Sequence, residues 1–152
     1  PFSEHKSGVI SRFMEGARKG EPLVIYGDGD QTRDFVHVDD ICQAIHLSLI
    51  IAQPPKLSQQ TKPTLSTQET PLWGEVFQIA SGVETSINQL AELMKAMTDF
   101  QLSIIHKPKR KGEIKRNYSD ITKARRLLDF EPKIKLREGL EDLWRLYGAK
   151  KG

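Results

Sequence analysis

The feature that most constrains the fold is the run LVIYGDGDQTRDFVHVDD at residues 23–40. It opens with four apolar or aromatic residues typical of a buried strand and continues into Gly27–Asp30. Glycine accepts positive φ and aspartate hydrogen-bonds its own backbone, so this tetrapeptide predicts a tight turn. Arg33, a second strand over Phe35–Val38 and a helix capped by Asp39 are expected next. The run therefore places one cation beside exposed backbone, which suits a phosphate ester of a flat, sugar-bearing ligand.

Composition excludes several classes of protein. The chain has 152 residues, 38% of them hydrophobic and 28% charged, which is enough for one domain with a real core. No apolar run reaches the roughly 18 residues that a membrane span needs, and the first residues lack the apolar stretch of a signal peptide. Cys42 is the only cysteine, so no internal disulfide forms. We expect a cytoplasmic protein without membrane partners.

The net charge of +3 is unevenly distributed. Between His106 and Arg126 there are nine lysines and arginines and only two carboxylates. Such a patch attracts a phosphate or a polyanion. Only Tyr118 interrupts the cluster, so no stacking platform for a nucleic acid is visible, and we expect no nucleic-acid partner. The four histidines lack metal-ligand spacing, and Arg33 stands where a calcium loop needs glycine, so we expect no metal.

Apolar spacing predicts five helices. The first presents one apolar face from Val9 to Ala17, with Ser7 as its N-cap. The second follows Asp39, and the capping-box spacing of Ser86 and Gln89 starts the third. The inward positions of the second helix are predicted to be Ile41, Ala44, Ile45, Ser48 and Leu49. The fourth helix is capped by Asp120, and the fifth spans Leu136–Tyr147.

Strands alternate with these helices. Besides the two strands of the opening run, strands are predicted at Val76–Ala80 and Leu102–Ile105. Residues 53–72 are rich in Pro, Ser, Thr and Gln and predict a flexible insertion loop within a single region, residues 1–152. The alternation indicates an α/β chain with a small sheet, several strands of which need partners from elsewhere.

Two arginines are candidate phosphate ligands. Arg33 either clamps a diphosphate, since a guanidinium fork grips two oxygens, or pairs with a neighbouring aspartate at the surface. Arg110 with Glu113 offers a second cation and an acceptor for a sugar hydroxyl, or belongs to a solvated charge run. The backbone N–H at Val9 lies at a helix start, where an anion or simply water binds.

Residues 26–40 resemble the signature of extended short-chain dehydrogenase/reductases of the UDP-glucose 4-epimerase type, in the NAD-dependent epimerase/dehydratase family. GEVFQIASG at 74–82 and ETSINQLA at 84–91 look like the next strand and helix of that family. RKGE at 110–113, with YSDITKA at 118–124, resembles its late block, where Arg-Pro-Gly-Asp is more usual. The resemblance covers nearly the whole chain outside the insertion loop.

This resemblance implies a C-terminal portion: the nucleotide-sugar-binding lobe of an extended Rossmann-type epimerase, without the dinucleotide-binding half. In the family, the preceding half holds NAD and the catalytic Ser/Thr and Tyr-x-x-x-Lys. This sequence has no Gly-x-Gly-x-x-Gly, and its one Tyr-x-x-x-Lys, Tyr147 to Lys151, lies at the C-terminus and is interpreted as coincidence. We therefore expect no catalytic residue and no cofactor site in this chain.

The resemblance also assigns binding roles by position. Arg33 and Arg110 would bind the diphosphate, and Glu113, in place of the usual aspartate, would meet the ribose. Backbone at Val24 and Tyr26 would read the uracil, and the N–H of Val9 would contact phosphate. Lys111 replaces a frequent proline, which loosens the loop that aims Arg110.

The implied activity is UDP-sugar binding in an NAD-dependent epimerase. The complete enzyme would move a hydride from C4 of the sugar to NAD and return it to the other face. A dehydratase or decarboxylase on the same scaffold is an alternative, as is a non-catalytic nucleotide-sugar-binding or interaction module. Without the missing N-terminal Rossmann half, apolar surface is left exposed, so we expect homo-oligomers.

Overall fold

The computed structural model describes residues 8–51, 74–98 and 101–148. These ranges contain both helices and short strands, which confirms the α/β class expected from the sequence. The helices are α1 (Val9–Lys19), α2 (Val38–Ile51), α3 (Ile87–Met97), α4 (Thr122–Leu128) and α5 (Leu136–Gly148). The strands are β1 (Leu23–Tyr26), β2 (Thr32–Asp34), β3 (Glu84–Ser86) and β4 (Ile104–Lys107).

The strands form two small sheets. β1 pairs in parallel with β4, so that Tyr26 lies opposite Lys107. β2 pairs antiparallel with β3, with Arg33 opposite Thr85. The first pairing brings the segment before Arg110 beside the strand that precedes the Gly-Asp turn. Two stretches that are distant in the sequence therefore meet at one end of β1.

The main core lies between α1, α3, α5 and β1. Apolar side chains from these elements meet there, and the largest fully buried ones are Phe13, Met14, Leu23, Ile25, Leu90, Met94 and Leu140. A second cluster joins α2 to α4 and the segment after it through Ala44, Ala124, Leu128 and Phe130. The buried carboxylate of Asp40 accepts the backbone N–H groups of Lys133 and Ile134, which ties α2 to the approach to α5.

The second predicted strand and the cap of α2 were misplaced. Residues 32–34, not Phe35–Val38, form β2, because only they find a hydrogen-bonded partner in β3. The helix begins at Val38, one residue before the predicted cap. The ring Nδ1 of His37 accepts the N–H of Asp39 at 3.2 Å, so the histidine caps the helix and Asp39 lies in its first turn.

The remaining predictions concern the starts of α3 and α4 and two further strands. The Ser86–Gln89 capping box is confirmed, with both reciprocal hydrogen bonds present. The N-cap of α4 is Ile121 and not the predicted Asp120, although the Asp120 carboxylate does accept the N–H of Thr122, the first residue of the helix, at 2.8 Å. Residues 76–80 form no strand, because no other described segment pairs with them. The strand predicted at Leu102–Ile105 lies two residues later, in register with β1.

The outward face of α2 contradicts the predicted orientation of this helix. Of the apolar residues predicted to face inward, only Ala44 is buried. Ile45 and Leu49 are 55% and 62% exposed, because the described residues place nothing over them. We call the exposed surface formed by Val38, Ile41, Ile45 and Leu49 the α2 apolar face. Ser7 and the insertion loop at 53–72 lie outside the described residues, and none of the described helices has the length and apolarity to cross a membrane.

Candidate functional site

The Gly-Asp turn between β1 and β2 is docked on the start of α3. Gly29 has φ +81°, and a Cβ there would overlap Oδ1 of Asn88. The Asn88 amide donates to the carbonyl of Asp28 at 3.0 Å, and its backbone N–H donates to the Gly29 carbonyl at 3.0 Å. The Asp28 carboxylate accepts the N–H of Asp30 within the turn. These contacts fix the direction in which β2 leaves the turn.

Arg33 projects from β2 toward the late basic block. Its Nη1 donates to the carbonyls of Thr32 at 2.6 Å and Ile114 at 2.9 Å. It does not pair with a neighbouring aspartate: the Asp34 carboxylate instead accepts N–H groups at Ser81, Gly82 and Ser119. Within the described ranges no carboxylate forms a salt bridge with Arg33, so its charge is available to a ligand.

The late block is attached to β2 along its length. Gln31 donates to Glu113, the backbone N–H of Thr32 donates to the Lys115 carbonyl at 2.9 Å, and Arg33 binds the Ile114 carbonyl. These three hydrogen bonds hold residues 113–115 alongside β2, which pairs with β3.

A bidentate ion pair between Arg116 and Glu84 joins the end of this late-block segment to β3. Arg116 donates to the two carboxylate oxygens of Glu84 at 2.7 and 2.8 Å. Hydrogen bonds from Arg116 and from the Thr32 hydroxyl lower the pKa of Glu84 to about 2. The carboxylate is therefore ionised at neutral pH and binds the loop to β3.

All six positions that the sequence assigned to ligand binding lie around one cavity of about 200 Å³. They come from α1, β1, β2 and the late block: Val9, Val24, Tyr26, Arg33, Arg110 and Glu113. The remaining lining residues are Gly8, Arg12, Ile25, Gln31 and Ile87. The two arginines thus share one small concave site, although they lie in distant parts of the sequence.

Sequence reasoning missed Arg12, which adds a third guanidinium to this cavity. Arg110 lies over the Tyr26 ring, 3.7 Å from its centre, and Arg12 lies 6.0 Å from the same centre. Hydrogen bonding to Arg110 and its charge lower the pKa of Tyr26. Burial, and then repulsion by Arg110, lower the pKa of Arg12. The sequence did contain a signal for Arg12. It lies three residues after Val9, so the two residues lie on the same side of a helix.

A wider groove of about 490 Å³ adjoins the cavity and shares Arg12, Val24, Tyr26 and Arg110 with it. Lys19 and Lys107 also line this groove. The two spaces give room for a ligand with more than one group, one end of which is anionic.

One edge of β1 is free among the described residues. The N–H groups of Leu23 and Gly27 donate to carbonyls of the β4 segment at 2.8 Å. The backbone N–H and C=O groups of successive residues in a strand point to opposite edges of that strand. The N–H and C=O of Val24 and the N–H of Tyr26 therefore face away from β4. The Tyr26 carbonyl on that edge accepts the Gln31 amide at 2.7 Å. A donor, an acceptor and a donor therefore follow one another beside the cavity.

The start of α1 also faces the cavity. Its N-cap is Gly8, which has no side chain to satisfy the first N–H groups of the helix. The helix has no acidic residue in its first turn. The positive end of the helix dipole is therefore not neutralised locally, in a cavity that already contains three arginines.

The basic stretch does not form one continuous patch. Three of its cations, Arg116, Lys123 and Arg125, form ion pairs with glutamates at 2.7 Å. Arg110 forms no such pair within the described part of the chain and lies at the cavity. Arg110 thus brings one unpaired cation of this stretch to a small concave site, where Arg12 and Arg33 add two more, and such a site fits a compact anion better than an extended one.

Known proteins share this sequence and fold. The family model described as GDP-mannose 4,6 dehydratase matches residues 3–143. A protein of Methanocaldococcus jannaschii, provisionally named as a UDP-glucose 4-epimerase, is 34% identical over 137 residues. That match covers 90% of this chain and 37% of the archaeal protein.

Solved structures extend the match to the tertiary fold. The UDP-glucose 4-epimerase of Thermotoga maritima, crystallised with UDP-glucose, has a TM-score of 0.77 at 32% identity, covering 97% of this chain and 41% of that one. The UDP-glucuronic acid 4-epimerase of Bacillus cereus, in complex with UDP-glucuronic acid and NAD, has a TM-score of 0.75 at 26% identity. This second match covers 94% of the present chain and 40% of the bacterial enzyme.

The fold and the cavity thus define a lobe of an extended Rossmann-type short-chain dehydrogenase/reductase. The chain belongs to the epimerase/dehydratase family whose model it matches, as its sequence blocks indicated, and corresponds to a C-terminal portion of its members. It spans about two fifths of the length of the relatives described above.

Proposed function

We propose that this chain is the UDP-sugar-binding part of an NAD-dependent nucleotide-sugar epimerase of the UDP-glucose 4-epimerase type. The observation that supports this most directly is the convergence of Arg33 and Arg110 on one cavity. A pyrophosphate carries its charge on closely spaced oxygens, and guanidinium groups bind such oxygens in pairs. Two cations without carboxylate partners in the described ranges would be neutralised by this one group.

The free edge of β1 supports uracil as the base. Uracil presents an acceptor, a donor and an acceptor at O2, N3 and O4. This order complements the Val24 N–H, Val24 C=O and Tyr26 N–H that face away from β4. Guanine presents an acceptor and two donors, so its exocyclic amine would oppose the Tyr26 N–H. We therefore favour UDP over GDP, although the matching family model is described for a GDP-mannose enzyme.

The role of this chain in the reaction is to hold the nucleotide still. NAD would supply hydride acceptance and return at the sugar C4. The cofactor does not fit here, because the glycine turn after β1 leads into β2 and not into a helix N-terminus. The arginines and the β1 edge would anchor UDP while the hexose turns over, which is a positioning contribution. We expect no turnover by this chain alone.

We further propose that the α2 apolar face packs against an N-terminal Rossmann half. Ile45 and Leu49 are more than half exposed, whereas α2 is already buried on another side through Asp40 and Ala44. A helix that is apolar on more than one side is expected to be covered on more than one side. The relatives described above are more than twice as long as this chain, which supports the proposal that a further half belongs beside this surface. In this chain alone, the face would instead promote self-association.

Calorimetric titration of the 152-residue chain with UDP tests the assignment. We expect Arg33→Ala to weaken binding about tenfold to a hundredfold, since hydrogen bonds to charged groups are each worth about 1.5–3 kcal/mol. Lys115→Ala removes an exposed cation from the late block beside β2 and should leave binding unchanged. Equal losses in both variants would indicate diffuse charge attraction, and absence of UDP binding would refute the proposal.

A turnover assay decides between the reactions that this scaffold supports. The chain would be joined to an NAD-binding half of a relative and supplied with UDP-glucose and UDP-glucuronate. C4 epimers as the only products would support an epimerase. Loss of water or of carbon dioxide would assign a dehydratase or a decarboxylase in its place.

A further inference from the structure

Gln31 occupies a buried position between the strand edge and the late block. It is 7% exposed, and its backbone carbonyl accepts the N–H of Ile87 at 3.1 Å. Its side-chain Nε2 donates to the Tyr26 carbonyl at 2.7 Å and to Oε1 of Glu113 at 3.3 Å. Both partners are acceptors only, and a primary amide nitrogen has two N–H groups to give. A single side chain therefore connects the free edge of β1 to the carboxylate in the cavity.

The other oxygen of that carboxylate has no partner. Oε2 of Glu113 is buried and accepts no hydrogen bond from the described residues, although Glu113 lines the cavity. A buried carboxylate oxygen without a donor is costly, and such an oxygen at a cavity wall points to a donor supplied by the ligand. In the proposed UDP complex, the uracil N3–H donates to the Val24 carbonyl, which leaves the ribose hydroxyls as the other uncharged donors of the nucleotide.

We propose that Gln31 is a positioning residue that sets Glu113 to accept a ribose hydroxyl, so that the chain distinguishes ribonucleotides from deoxyribonucleotides. This inference rests on the function proposed above. By holding Oε1, the amide leaves Oε2 as the only free acceptor. Because the same amide holds the Tyr26 carbonyl, the base-reading edge and the ribose acceptor keep a fixed separation. The glutamate arm is flexible, and this tether removes much of its freedom.

The test compares UDP with its 2′-deoxy and 3′-deoxy forms, which differ from it by one hydroxyl each. Titrations of the 152-residue chain should show at least one deoxy form binding about tenfold or more weakly than UDP. In Gln31→Met, which keeps the volume but removes the amide, that ratio should fall to within about threefold of unity. Glu113→Ala should lower the ratio of UDP to deoxy-UDP affinity by the same amount. Adding Gln31→Met to Glu113→Ala should not change this ratio further.

A merely structural role for Gln31 predicts a different result. Loss of packing weakens binding of all three nucleotides equally and leaves the ratio intact, which would overturn the inference. Lys115→Ala should keep the wild-type ratio. If Gln31→Met does not fold by circular dichroism, Gln31→Asn replaces it, because the shorter arm cannot reach both acceptors. Absence of UDP binding by the wild-type chain would refute the proposed function itself. If the chain binds UDP, and binds both deoxy forms as tightly as UDP, only the role of Gln31 is refuted.

Discussion

The guanidinium carbon of Arg110 lies 3.7 Å from the centre of the Tyr26 ring. This contact joins the C-terminal end of β1 to the late block and holds Arg110 at the cavity. A cation over an aromatic face is worth about 0.5–2 kcal/mol, depending on solvent exposure. The aromatic ring thus contributes to orienting the guanidinium toward the cavity.

Replacing the ring tests this relationship. Tyr26→Leu should weaken UDP binding by about threefold to thirtyfold through the lost ring face, whereas Tyr26→Phe, which retains the face, should stay within about threefold of wild type. Calorimetry measures both. In an Arg110→Ala background, Tyr26→Leu should cause little further loss. Additive losses would show that the ring and the guanidinium act independently.

Arg12 is expected to act as a third cation toward the ligand. It is half-buried at the cavity, and repulsion from Arg110 contributes to lowering its pKa, a repulsion that a bound diphosphate would relieve. Arg12→Leu should therefore weaken UDP binding by about fivefold to fiftyfold. Arg18→Leu changes an exposed arginine of the same helix and serves as the control. Equal UDP affinities for the two variants would contradict the assignment.

The Gly-Asp turn should not tolerate a side chain at Gly29. Positive φ alone costs a non-glycine residue about 1–2 kcal/mol. A Cβ at Gly29 would in addition displace Asn88, which is held by hydrogen bonds to Asp28 and Asp30, at a further cost of about 1–3 kcal/mol. Urea unfolding of Gly29→Ala measures the sum.

Gly112 is the matched control for this substitution. It has a similar φ, +79°, but a Cβ added there would meet no heavy atom within 4 Å, so Gly112→Ala should cost only the backbone strain. Combining Gly29→Ala with Asn88→Ala should recover the part of the loss that comes from the clash. Equal costs for the two glycines would contradict the described docking of the turn on α3.

The ion pair between Glu84 and Arg116 predicts a dependence of stability on pH. The folded pKa of Glu84 is lowered to about 2 from its ordinary value of 4.5. The contribution of the pair is therefore complete above about pH 4.5 and is lost as the pH falls toward 2, because the unfolded chain takes up the proton first. The difference in free energy of unfolding between wild type and Glu84→Gln should shrink across this window. A difference that stays constant down to pH 2 would show that the pair is absent in solution.

The α2 apolar face should drive association of this chain. Sedimentation velocity at increasing concentration should show oligomers of the wild type, and Ile45→Glu with Leu49→Glu should shift the chain toward monomer. His46→Glu introduces a charge at an exposed position of the same helix and should leave association unchanged. A wild-type chain that stays monomeric at high concentration would contradict this role of the face.

Local sequence signals predicted most of the secondary structure correctly, but they were wrong about segments whose structure depends on a paired strand. The Ser86–Gln89 box was predicted correctly and the cap of α4 to within one residue, because a cap is made by residues a few positions apart. Residues 76–80 have an apolar strand pattern but form no strand in the described structure. A strand exists only with a hydrogen-bonded neighbour, and the pattern of one segment does not say whether a neighbour is present.

The sequence by itself determined the chemistry of the site. The glycine turn beside Arg33 and the basic block with Glu113 predicted either a phosphate site or surface charge, and the family resemblance favoured the phosphate site. These signals are local, because positive φ and guanidinium charge are properties of single residues. Only the tertiary structure decided that these groups share one cavity, that Arg12 and Gln31 belong to it, and that α2 leaves its apolar face exposed. Contacts between distant segments depend on how sheets and helices pack against each other, and no local pattern of residues encodes that arrangement.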